Sequence, residues 1–123
     1  MVDVKFLKNK VTNEITMVLN NEEPKENEVV LKANDTDAAV EKHVPVIEQN
    51  GNDVIVTVGS VLHPMTPAHY ITMIVLVTDK KATMVKLTPE AQPKACFSLE
   101  EGEKVVAAYE YCNLHGLWVK KVA

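Results

Sequence analysis

The chain contains no arginine: all 13 of its basic side chains are lysine, set against 17 acids for a formal net charge of −4. Specific readers of nucleic acid depend on the bidentate guanidinium fork and on a basic footprint, so nucleic acid is not an expected partner. Cysteine is nearly as scarce, with Cys96 and Cys112 alone. Two thiols cannot frame a disulfide-stapled domain, and in a reducing compartment they are expected to stay unpaired. Long hydrophobic runs are missing too. No wholly apolar stretch exceeds residues 73–77 in length, whereas a membrane span needs about 20 residues, so no membrane partner is expected. The opening Met1-Val2-Asp3-Val4-Lys5 lacks the basic and apolar blocks of a secretory signal, which makes a cytoplasmic location the expectation.

What is present suits a soluble globular protein: 123 residues, 46% apolar and 24% charged, enough for one principal core. Valine dominates the apolar set and β-branched side chains favour strands, so the expected fold class is all-β. Strand signals open the chain at residues 4–7, 15–19 and 28–31, with a polar stretch over 20–27 before the third. They define a small N-terminal β unit, residues 1–37, ahead of a larger domain over 38–123, with 34–42 as the connecting segment. In the larger domain Asn50-Gly51, between runs at 44–48 and 54–58, is a hairpin signal. Pro64 and Pro67 make residues 59–68 a loop, because proline cannot donate to a ladder. Further runs at 70–78, 83–87, 95–99, 104–111 and 117–122 bring this domain to seven short strands, as in an antiparallel sandwich. Ser98-Leu99-Glu100-Glu101 has the form of a capping box that would start a helix over 103–110, but Val105, Val106, Tyr109 and Tyr111 favour a strand.

The chemistry concentrates in four histidines and one cysteine of the larger domain, each beside turn-forming residues. Cys112 and His115 lie three apart, and Asn113 and Gly116 tolerate left-handed backbone, so a thiolate and an imidazole can turn toward one point. Between His63 and His69 two prolines stiffen the chain, and His43 stands just ahead of Val44-Pro45. Imidazole suits iron, copper, zinc and nickel, and a thiolate adds a soft, electron-rich donor, so the residues point to one metal site without choosing the metal. Singly, each has a plainer use as a surface histidine or a buried thiol. Three groups that together account for every histidine favour the metal.

Read in order, three motifs carry a family likeness. Glu41-Lys42-His43-Val44-Pro45-Val46, Gly59-Ser60-Val61-Leu62-His63-Pro64-Met65-Thr66-Pro67-Ala68-His69-Tyr70-Ile71 and Tyr111-Cys112-Asn113-Leu114-His115-Gly116-Leu117-Trp118 resemble the desulfoferrodoxin and neelaredoxin superoxide reductases over residues 34–123. The resemblance implies an immunoglobulin-like β-sandwich holding one mononuclear non-haem iron. It implies His43, His63, His69 and His115 as equatorial ligands and Cys112 as the axial thiolate. A sixth position would be open to superoxide, which is reduced by one electron to hydrogen peroxide. Glu41 matches the family glutamate that can occupy this position in the ferric state, and Lys42 matches the lysine beside the substrate. An outside electron donor such as rubredoxin is implied, as is a homo-oligomer, with a dimer favoured.

The N-terminal unit departs from the family pattern. Many relatives bind a second iron there through four cysteines, and this unit has none; Asn9 and Thr12 stand where a Cys-x-x-Cys pair would be. Its expected role is packing or dimer contact. Cys96 matches no motif and is expected in the core, while Trp118 and Tyr70 are expected to pack around the site. Two other classes compete. A structural zinc module would need four donors where five are offered, and a one-metal electron-transfer protein would have no use for an open coordination position.

Overall fold

A computed structural model of the protein describes residues 3–19 and 23–122. Asn20, Asn21 and Glu22, part of the polar stretch expected before the third strand, lie outside them. The described residues form β1 (Val4–Asn9), β2 (Ile15–Leu19), β3 (Glu28–Val30), a helical turn α1 (Val40–His43), β4 (Pro45–Asn50), β5 (Asp53–Val58), β6 (Ile71–Thr78), β7 (Ala82–Lys86), β8 (Lys94–Ser98), β9 (Val105–Cys112) and β10 (Gly116–Lys121). They pair antiparallel in three sheets, ordered β2-β1-β3, β10-β9-β6-β7 and β4-β5-β8. The larger part is the antiparallel sandwich that the seven strand signals indicated, of the immunoglobulin-like kind the resemblance implied. Its first hairpin turns on Gly51 at φ +62°, where a left-handed residue is required.

Burial patterns explain how the layers stack. In β5 and β8 exposed and buried residues alternate, as in strands with one wet face. Nearly all of β6 is buried instead. One of its faces sends Ile74 and Leu76 against Val54, Val56 and Val58 of β5 and Phe97 of β8. The other sends Met73, Val75 and Val77 against Phe6 of β1, whose ring lies 4.9 Å from that of Tyr109. The four-stranded sheet is therefore a middle layer, with the rest of the sandwich on one side and the N-terminal sheet on the other.

The connector also protects a sheet edge. Asn34 donates its backbone N–H to Leu117 O at 2.9 Å, accepts the Val119 N–H at 2.9 Å and donates its amide to Val119 O at 3.3 Å. These bonds occupy outer backbone groups of Leu117 and Val119 on β10, part of an edge that would otherwise be an open pairing template. In the N-terminal unit, the Asn9 amide oxygen accepts the N–H groups of Val11 at 2.9 Å and Thr12 at 3.0 Å, so this turn is closed by a side chain.

Two expectations need correction or refinement. Cys96 is exposed, not in the core: it takes an outward position on β8, between Ala95 and Phe97, which face inward. The capping-box signal becomes a tight turn rather than a helix start. Glu103 accepts the Glu100 N–H at 2.8 Å, Gly102 adopts φ +81°, and β9 then runs as the expected strand.

Glu103 is buried, and its carboxylate also accepts the Thr78 hydroxyl and faces Lys81 Nζ at 3.6 Å. The Thr78 bond, then the Glu100 N–H, hold it below the usual glutamate range against the opposing effect of burial. A pKa lowered on folding stabilises the native state above the unfolded-chain value, and the contribution is lost as pH falls through the native value. Glu103→Gln should therefore lower the urea midpoint at neutral pH and converge on wild type in acid. An equal deficit at both would contradict this account.

Candidate metal centre

Three segments deliver the histidines and Cys112 to one end of the sandwich. The single turn of α1 has no side-chain cap, and it directs His43 inward, where it is 2% exposed. Residues 59–70 bring His63 and His69. This loop is stapled to α1 at Gly59 (φ +82°), where a Cβ would lie 2.5 Å from Val61 O, 2.7 Å from Lys42 O and 2.8 Å from Glu41 O. Only glycine fits that conformation at so close an approach. The Val61 N–H adds a bond to Glu41 O at 3.1 Å.

Cys112 ends β9. Next to it, the Asn113 side chain accepts the Tyr70 N–H and donates to Ala68 O, both at 3.0 Å, tying the two metal-facing segments together. The β6–β9 register shifts between Ile71 and Met73, a bulge of the kind that re-aims side chains beside functional sites. Gly116 at φ +83° makes the turn to β10. Asn113 is not left-handed, so its contribution is hydrogen bonding and not the backbone freedom expected of it.

The donor atoms of His43, His63, Cys112 and His115 all lie within 4.8 Å of one another. Cys112 Sγ is 3.4 Å from His63 Nε2 and 4.0 Å from His115 Nδ1. His69 joins through its ring, centred 4.6 Å from that of His63 and 5.1 Å from that of His115, and its buried Nε2 has no hydrogen-bond partner. His63 Nδ1 is 2.7 Å from Pro64 O. A carbonyl can only accept, so this contact puts the proton on Nδ1 and leaves Nε2 as the lone-pair donor.

Electrostatics favour a cation. Burial pushes His43 down to about 4, aided by the neighbouring imidazoles of His63, His115 and His69 and by the Lys42 ammonium. His63 and His69 are lowered as well, burial again leading. Burial raises the Cys112 thiol and pushes the Glu110 carboxyl well above its usual range. Neutral imidazoles offer lone pairs, and a bound cation is the charge that would draw the thiol to thiolate. Buried polar atoms ordinarily find partners. The orphaned His69 Nε2 beside four further donors therefore fits one metal ion.

The remaining expected residues are distributed unevenly. Lys42 is exposed, yet its charge acts on His43, His63 and His69. Glu41 is also exposed and is not one of the clustered donors; it borders a groove with Val44, Ile47 and Lys104. Trp118 packs as expected, stacked on His43 at 5.0 Å and 12°, with Nε1 donating to His115 O at 3.0 Å. Tyr70 instead borders a cleft between the N-terminal unit and the sandwich, with Lys8, Glu14 and Lys86. Sequence reasoning missed Glu110, fully buried with Oε2 3.5 Å from His43 Nδ1. Its signal was strand period: two residues before Cys112, it shares that residue's face.

Fold and donor set together define an all-β protein with a cluster of histidine and cysteine side chains able to hold a metal ion. The family model described as desulfoferrodoxin matches residues 35–121. The chain belongs to the desulfoferrodoxin family. It is 55% identical over 86 residues to the desulfoferrodoxin of Clostridium acetobutylicum, a match covering 70% of this chain and 66% of that one. It is 36% identical over 99 residues to the superoxide reductase of Pyrococcus horikoshii, covering 67% and 86% respectively. The crystal structure of the superoxide reductase from Treponema pallidum aligns with a TM-score of 0.85 at 33% identity, over 98% of each chain. The matched region thus spans about two thirds of the first of these relatives and nearly all of the last.

Gly59→Ala should lose about 1–2 kcal/mol to the left-handed backbone alone, and the displaced loop should lower metal occupancy after gel filtration. Wild-type stability with full occupancy would show that the staple is dispensable.

Proposed function

We propose that this chain is a one-iron superoxide reductase, taking superoxide to hydrogen peroxide with one electron and two protons. The observation that carries the reading is the convergence of four imidazoles and one thiol at a buried point, in a chain of this family. His43, His63, His69, His115 and Cys112 would hold the iron, which when bound supplies the ferrous–ferric couple for one-electron reduction.

The chain's own residues do the rest. The imidazoles bind the cation without adding charge, and Cys112 adds one electron-rich donor. On the inner side, Trp118 and the apolar core around Ile71 and Ala108 exclude water. On the outer side, exposed Lys42 attracts the anionic substrate through its ammonium field and orders water for proton delivery. Glu41, exposed on the same turn, would supply the carboxylate that the family resemblance implies for the substrate's place in the oxidised state.

Replacing the electron falls to an outside donor such as a rubredoxin. Val40, Leu62 and Leu114, exposed apolar side chains each within three residues of a clustered histidine, support a protein contact there. The N-terminal unit exposes Val11, Leu19 and Val30, which supports pairing of two copies into a homodimer. Among the described residues no helix is long and apolar enough to cross a membrane. The unpaired Cys96 and Cys112 are compatible with a reducing compartment such as the cytoplasm.

Metal analysis with an optical spectrum tests the central reading. The oxidised protein should carry stoichiometric iron and a visible thiolate-to-ferric band that Cys112→Ser removes; zinc with no visible band would overturn it. Lys42→Ala should slow the reaction with superoxide on the order of ten-fold and flatten its salt dependence while iron stays bound. An unchanged rate would remove Lys42 from the mechanism.

A further inference from the structure

Glu110 is fully buried, and unlike the buried Glu103 its carboxyl is isolated, which is costly. Both of its carboxyl oxygens lack a hydrogen-bond partner, as does His43 Nδ1, and the two groups face each other at 3.5 Å. The cross-strand neighbours of Glu110 are Trp118 on β10 and Ile74 on β6. Trp118 in turn lies flat on the His43 ring. His43 is therefore bounded on one face by the indole and at Nδ1 by the carboxyl. The α1 backbone sends the ring inward, and the indole and the carboxyl are the groups that bound the ring itself.

A buried carboxyl without hydrogen bonds costs folding free energy, so folding alone does not account for glutamate at this position. Histidines that bind metals commonly donate their second ring N–H to a carboxylate or carbonyl, which fixes the tautomer and the ring plane. His63 already has such a partner in Pro64 O. We propose that Glu110 is a positioning residue that accepts the Nδ1–H of His43 and so commits Nε2 of that ring to the metal. The proposal rests on the reading of the cluster as a metal centre and adds a fixed ring orientation for His43.

The test compares Glu110→Gln, which keeps an acceptor oxygen, with Glu110→Leu, which keeps the volume and removes it. Iron(II) affinity, by competition with a chromogenic chelator, should fall 10–100-fold in Glu110→Leu, the usual loss for such a partner, and recover largely in Glu110→Gln. The ferric thiolate band should shift in the leucine variant. Wild-type affinity and an unshifted band in a folded Glu110→Leu protein would overturn the proposal. Should that variant not fold, the His43 tautomer in zinc-loaded wild type, read by ¹⁵N NMR, decides: a proton on Nδ1 is expected, and one on Nε2 refutes it. Wild type that binds no iron would sink the metal reading itself, an outcome distinct from failure of the Glu110 role alone.

Discussion

The pairing of β6 with β9 is the interaction on which the site depends. Its register places Ile71 opposite Cys112, so the end of the most buried strand backs the only buried thiol among the described residues. Because β6 is packed on both faces, the pair cannot shift without opening two cores. Each fully buried aliphatic side chain there contributes about 1.5–3 kcal/mol. The metal-facing loops hang from this end, and the Asn113 side chain bonds the backbone on either side of His69 to the residue after Cys112. A rigid double-faced strand pair thus sets the position of loops that have few apolar contacts of their own.

That rigidity carries an electrostatic cost. His43, His63 and Cys112 are almost fully buried, and His43 Nδ1, His69 Nε2 and both Glu110 oxygens have no hydrogen-bond partner. An interior designed only for folding would fill this end with aliphatic residues, as the middle of the sandwich is filled. Grouping uncharged lone-pair donors around one point makes sense when a cation supplies the missing attraction, because binding free energy then offsets the desolvation. The same donors gathered without a cation would destabilise the end of the sheet that the β6–β9 pair stabilises.

Much of this was legible in the chain, and the exceptions have physical causes. The strands were readable because valine-rich runs alternate between turn signals, and the ligand residues because turn-forming neighbours mark them. Cys96 was misplaced by treating a cysteine in a strand as a small hydrophobe. The phase of β8 was available, since Ala95 and Phe97 claim the inward positions and leave Cys96 outside. Glu110 was overlooked because an acid within a β-prone run reads as solvent-facing, although counting back two from Cys112 puts it on the buried face. Asn113 was given a backbone role when its amide bridges segments more than 40 residues apart, a contact that no local pattern reveals.

The N-terminal unit fits the same logic of cover. In its turn the Asn9 side chain accepts the backbone N–H groups of Val11 and Thr12, so the turn is closed by the chain's own polar groups. With Phe6, the unit seals the far face of β6 over Met73, Val75 and Val77. Stripped of that cover, three large side chains on the strand that backs Cys112 would face water, and the pairing that positions the ligands would lose one of its two cores. The packing of the unit thereby supports, from the opposite face of the sheet, the strand that backs Cys112.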